Sequence, residues 1–223
     1  MADLRRTAGP GVTEWSEYDL DAYHITVSSQ TKRKFFGMPR LPPPAHPSAL
    51  VDFMNPPDPR IMSASTKKLL GYFNLGNYPY YGQYRTGRIN FFAKLLETYG
   101  YNDGRRIVFT HHPLPLPICG VSSLVEMDIS VMDDDEILMV VQDKTPTRFD
   151  ENTSESQSWV DPEAIVIAGA IAAYAANNKV RVDMNLPLLD VITIPAITLE
   201  GLTPTFYKIP VTAELSGPLQ EAR

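Results

Sequence analysis

The feature that most constrains this chain is a pair of strand patterns on either side of three aspartates. Ser122–Met132 (SSLVEMDISVM) and Glu136–Gln142 (EILMVVQ) flank Asp133-Asp134-Asp135. Two β-prone runs separated by a short polar turn form an antiparallel hairpin. The second run is apolar without interruption from Ile137 to Val141, the pattern of a strand buried on both faces. Such a strand belongs in the middle of a sheet with cover on each side.

Helices to cover it are present on both sides of the hairpin in sequence. In Ile89–Tyr99 (INFFAKLLETY), Phe92, Leu95, Leu96 and Tyr99 fall on one stripe, and Gly100 is a natural stop. Asp161-Pro162-Glu163 opens a second helix. Asp161 can cap it, Pro162 suits its first position, and Glu163 suits the positive end of its dipole. This helix is apolar all round to about Ala176, with Asn177-Asn178 as its expected end. Its alanines and Gly169 let it approach a sheet closely. Short strands are expected at Ile107–Thr110, Val191–Leu199 and Phe206–Thr212, and His111-His112-Pro113 with the Pro-Leu alternation should interrupt regular structure until Ile118. The order after residue 88 is then α, β, β, β, α, β, β. This predicts an α/β domain with a mixed central sheet flanked by helices.

The chain divides into a Pro-rich N-terminal arm (1–60), the α/β domain (61–213) and a polar tail (214–223). Eight of the twenty prolines lie between Pro39 and Pro59, which predicts extended or looped backbone there, neither helix nor central strand. Phe35, Phe36, Leu50, Val51, Phe53 and Met54 predict that the arm packs on the domain, and Tyr23–Ser28 reads as a short strand. Five of eleven tyrosines fall in 72–84. They fit a turn region against the core, or an aromatic surface for stacking bases or binding a ligand.

At 223 residues, 43% hydrophobic and 21% charged, the chain can build a core without staples. A single cysteine, Cys119, excludes an internal disulfide framework, and no apolar run is long enough to span a bilayer. With no apolar leader, the expected location is intracellular, in cytoplasm or nucleus. The net charge of −6 means that any nucleic-acid partner needs a local basic patch. Lys32-Arg33-Lys34, Arg85, Arg88 and Arg105-Arg106 are the groups available. His111-His112 with Cys119 offers three zinc ligands and lacks a fourth.

Strand alternation sets Glu126 and Asp128 on one face, and Gln142 and Lys144 on one face. Polar groups that appear as a central strand ends mark a site at a strand terminus. A divalent cation there would take oxygens from Asp128 and from Glu126 or Gln142, while Lys144 would stabilise negative charge on a phosphate or orient water. The competing reading is a solvated acidic hairpin.

Asp128, the hairpin, and an apolar strand ending in Gln142-Asp143-Lys144 resemble the signature of the PD-(D/E)XK nuclease superfamily. Pro162-Glu163-Ala164, Ile194–Thr198 and Phe206–Thr212 extend the similarity toward a fungal branch of it, over about residues 89–213. The resemblance implies a restriction-endonuclease-like α-β-β-β-α-β core and Mg²⁺- or Mn²⁺-dependent cleavage of nucleic acid, DNA or RNA. It makes Asp128 the first metal ligand, Lys144 the catalytic lysine, Gln142 the occupant of the (D/E) position, and Glu97 an additional metal-binding glutamate on the first helix. Gln142 is neutral, so Glu126 or Glu97 would have to supply the missing charge. Ile165 and Gly169 stand where polar residues are common. The alternative is a catalytically inactive nuclease-fold protein that serves as a binding or scaffold module.

Overall fold

The computed structural model describes residues 15–42, 48–55, 58, 60–77, 84–118, 121–143 and 161–216. Five strands form one mixed sheet: β1 (Arg106–Ile118), β2 (Val121–Asp133), β3 (Glu136–Asp143), β4 (Val191–Glu200) and β5 (Thr203–Thr212), lying side by side in chain order. β3 and β4 are parallel and the other neighbours antiparallel. A parallel step needs a crossover, and helix α6 (Pro162–Asp183) lies within the β3–β4 connection. Before the sheet come α1 (Glu17–Ala22), α2 (Lys32–Phe36), α3 (Ser48–Met54), α4 (Ala64–Asn77) and α5 (Tyr84–Thr98). The protein is an α/β protein with a five-strand mixed sheet packed against helices.

Each face of the sheet carries its own core. On one, α6 packs Val166, Ala170 and Ile171 against Leu114, Met127, Ile137, Val140 and Ile194. On the other, Leu69 of α4 and Ile89 and Phe92 of α5 belong with Ile129, Val131, Met139, Val141 and Leu199. The apolar run of β3 therefore feeds both cores, as its sequence predicts. Val140 and Val141 are buried, each worth about 1.5–3 kcal/mol relative to exposure.

Several expectations are corrected, among them the reading of 39–59 as free of helix, since α3 (Ser48–Met54) fits between the prolines that end at Pro47 and those that start at Pro56. First, α6 does not stop at Asn177-Asn178. The β2–β3 register shifts between Val131 and Met132, which leaves Leu138 without a cross-strand mate and Ile137 at the irregularity. Asn177 mends it: Oδ1 accepts from the Ile137 N–H at 2.7 Å and Nδ2 donates to the Ile137 carbonyl at 2.9 Å. Asn178 accepts from the Leu189 N–H at 2.8 Å. Both asparagines thus have tertiary work inside a helix that continues to Asp183.

Second, β1 does not break at His111 but runs on to Ile118. Pro113, Pro115 and Pro117 share one parity of a strand at the edge of the sheet. Alternate residues of an edge strand turn their N–H away from the ladder, so proline there forfeits no sheet bond. Third, Tyr23–Ser28 is not a strand; a turn and irregular backbone follow α1. The arm nevertheless packs: Trp15 and Leu20 enter the α6-side core and Leu50 the other. Tyr72 lies within α4 rather than a turn; Tyr78, Tyr80 and Tyr81 lie outside the described residues. Among the described residues no helix is long and apolar enough to cross a membrane.

Candidate functional site at a fork between the central strands

The β2–β3 ladder ends at Ile129 opposite Val141. Beyond it β2 stays with β1, from Met127 opposite His112 to Val121 opposite Ile118. β3 stays with β4, through Gln142 opposite Thr198 and Asp143 opposite Leu199. The two central strands part at Asp128 and Gln142. The parting coincides with a change of face along β2. Val125 and Met127 belong to the α6-side core, whereas Ile129 and Val131 belong to the α5-side core. Strict alternation would keep all four on one face. Across from Asp128, His111 adopts a left-handed backbone (φ 55°) and the β1–β2 pairing skips that step.

Asp128 sits in the fork at 1% exposure. Its Oδ2 accepts the Asp143 N–H at 2.7 Å, in place of a β2 carbonyl. Its Oδ1 accepts from Arg85 Nη2 at 2.8 Å. Arg88 Nε donates to Asp143 Oδ2 at 3.0 Å, with side-chain exposures of 9% and 0% for that pair. Arg85 and Arg88 are one turn apart at the start of α5. Cations are disfavoured at the positive end of a helix, and the two carboxylates offset that cost. Burial pushes the Asp128 carboxyl above its ordinary value, while Arg85 and the Asp143 N–H hold part of the rise back.

Among the described residues, two polar atoms of this cluster, Arg85 Nε and Arg88 Nη2, are buried without a hydrogen-bond partner, and so is Gln142 Oε1, which alternation along β3 turns away from Asp143. Gln142 is 5% exposed. Its β4 neighbour Thr198 shares a 3.3 Å hydrogen bond between Oγ1 and the Tyr207 hydroxyl. Burial raises the Tyr207 phenol, and the nearby charges of Glu163 and Asp161 at the start of α6 add to it.

Of the residues singled out in the sequence, Asp128 and Gln142 both stand where β2 and β3 part, and Asp128 bonds the N–H of Asp143 there. Lys144 lies outside the described residues. Glu126 does not join them: it is exposed and its Oε1 lies 3.0 Å from His111 Nδ1. Glu97 does not join them either. It pairs with Lys94 at 2.7 Å, and the twelve residues separating it from Arg85 on α5 amount to about 18 Å of helix rise. Asp143, which alternation turns away from Gln142, carries a buried ion pair rather than a lone backbone carbonyl. Among the basic groups, Arg85 and Arg88 reach the fork. Arg105 reaches the opposite end of the hairpin, where it pairs with Asp133 and Asp134. His112 bonds Ser130 at 2.7 Å, and Cys119 lies outside the described residues. In the sequence Arg85 and Arg88 are two of several basic groups, some of which are expected to flank Asp128, and with the neighbouring tyrosines they could hold phosphates. The helix expected from Ile89 begins at Tyr84, which sets Arg85 and Arg88 one turn apart at its start; their partners lie 43 and 55 residues away, beyond the reach of local patterns.

The oxygens of Asp128 and Gln142 are the hard donors that Mg²⁺ or Mn²⁺ takes, and Mg²⁺ usually completes its shell with water and substrate phosphate. Among the described residues no three His, Cys, Asp or Glu side chains gather as a metal group, and the Asp128 charge is already matched by Arg85. The donor set therefore fits two positions of a metal shell and leaves its charge to the substrate. No protein-family model, curated protein or solved structure matches the chain.

Proposed function

We propose that the fork is the active site of a PD-(D/E)XK-like phosphodiesterase acting on nucleic acid, with a restriction-endonuclease-like core. The observation that carries this reading is the parting of β2 and β3 at Asp128 and Gln142, two residues before Lys144. The order α5, β1, β2, β3, α6, β4 supports it, since it is the α-β-β-β-α-β order that the resemblance implies. Asp128 and Gln142 would hold Mg²⁺ or Mn²⁺, which would polarise the phosphate and acidify a water. Lys144 would offset charge on the phosphate. Arg85 and Arg88 balance Asp128 and Asp143, so these four groups add no net negative charge to repel a polyanion from a chain of net charge −6. The test is cleavage of DNA and RNA with and without Mn²⁺, parent beside Lys144→Ala. Mn²⁺-dependent cleavage lost in the variant is expected; no cleavage by the parent overturns the reading.

A second reading, a binding or scaffold module without catalysis, is favoured by one specific observation: Arg85 already neutralises Asp128, and Gln142 brings no charge. Calorimetric titration of Mn²⁺ separates the two. The enzyme reading requires binding that Asp128→Ala abolishes and Gln142→Glu strengthens, and the module reading requires none.

A further inference from the structure

We propose that Arg85 and Arg88 form a phosphate subsite that works without metal, and that a bound phosphodiester draws Arg85 off Asp128. Four charges meet at the start of α5: Arg85 on Asp128 and Arg88 on Asp143. They sum to zero, so the cluster is a neutral resting arrangement. Yet among the described residues each guanidinium keeps a buried N–H group without a partner, Arg85 Nε and Arg88 Nη2. Buried donors of charged groups are costly to leave unmade, and two on one helix turn call for an acceptor with several oxygens. A phosphate fits, since the planar guanidinium fork matches its oxygens. The positive end of α5, a 15-residue helix, faces the same place and favours an anion.

The two arginines are not equivalent. Arg88 is almost wholly buried on a carboxylate that is itself buried, so it is fixed. Arg85 is 28% exposed in its side chain and has solvent-side freedom to turn. A phosphate therefore recruits Arg85 while Arg88 stays on Asp143. The Asp128 oxygen that Arg85 leaves is then free to accept another partner. Anion binding and cation binding at the fork are then coupled with positive sign, because the same event opens the carboxylate.

That the anion is a nucleic-acid backbone rests on the reading of the fork as a phosphodiesterase site, but binding is measured separately from cleavage. The experiment is anisotropy of a short labelled single-stranded oligonucleotide in EDTA, with the parent, Arg85→Gln, Arg85→Lys and Asp128→Asn, each checked for a cooperative melt. Losing one charged donor should weaken binding about tenfold or more in Arg85→Gln, with a shallower salt dependence and partial recovery in Arg85→Lys. Asp128→Asn frees Arg85 from its competitor and should bind several-fold tighter than the parent. A structural role for Arg85 predicts no gain in Asp128→Asn. Equal binding by Arg85→Gln and the parent, or no gain in Asp128→Asn, overturns the proposal. Inorganic phosphate that competes as well per charge as the oligonucleotide overturns the assignment to a nucleic-acid backbone. Failure of the parent to cleave with Mn²⁺ refutes the enzyme reading and leaves these binding results standing.

Discussion

Gly169, in the middle of α6, packs directly against Met127 of β2. A Cβ built there would lie 2.2 Å from Met127 Sδ, 2.8 Å from its Cε and 3.3 Å from its Cγ. An ordinary contact is about 3.5–4.0 Å, so Gly169→Ala must displace most of the Met127 tail. Met127 has 0% exposure, and its neighbours leave little room for that move. Overpacking of this kind costs about 1–3 kcal/mol, whereas glycine to alanine inside a helix returns about 1 kcal/mol of propensity. The net expectation is a loss of about 0–2 kcal/mol, with a fall in Tm of about 2–4 °C per kcal/mol for a chain of this size. The sharper test is the sign. In a Met127→Ala background, itself destabilised by about 2–5 kcal/mol, the clash is gone, and Gly169→Ala should stabilise by about 1 kcal/mol. Urea unfolding with a shared m-value measures all four variants. Gly169→Ala stabilising the parent as much as it stabilises Met127→Ala would refute the close contact. Gly169→Leu should cost more than Gly169→Ala in the parent.

Asn177→Ala removes both hydrogen bonds to Ile137 and leaves two buried backbone groups unmade, for a loss of about 2–5 kcal/mol by urea unfolding; a loss under about 1 kcal/mol would mean that the bulge is hydrated. Arg88→Met strips the guanidinium from a buried carboxylate and should cost about 3–5 kcal/mol. Adding Asp143→Asn should recover most of that, and a double variant no better than the single would show that the pair is not the source of the loss. The pH dependence of stability should carry the mark of Asp128, whose folded pKa lies above its ordinary 3.8. Between those two values the native state binds the proton more tightly than the unfolded chain, so this contribution is largest at acid pH and falls as pH rises through the interval. The stability of the parent relative to Asp128→Asn should therefore decline as pH rises above the ordinary 3.8, and a difference that stays flat would contradict the raised pKa.

What the sequence alone determined is what neighbours in the chain can settle. The hairpin of β2 and β3 follows from two β-prone runs and a three-aspartate turn. The central place of β3 follows from an apolar run that has no polar side to expose. The start of α6 follows from Asp161, whose carboxylate accepts the Glu163 N–H at 2.9 Å with Pro162 at the first position. Periodicity and capping act over a few residues, so they can be read without a fold. That Asp128 and Gln142 come level on neighbouring strands was legible because hairpin register is local too.

The rest depended on partners that only tertiary structure brings near. Prolines that interrupt a central strand are harmless in β1 because β1 lies at an edge, and edge position belongs to the sheet rather than to the segment. Asn177 is a helix stop by propensity and a helix residue here, because a bulge 40 residues away offers it two backbone groups. Glu97 and Glu126 share a helix or a strand with site residues, but helix rise removes one and exposure the other. Arg85 and Arg88 read as two of several basic groups until the parting of β2 and β3 places two carboxylates beneath them. Burial converts a charge from a solvated group worth little into one that must be paired, and burial is fixed by the whole chain.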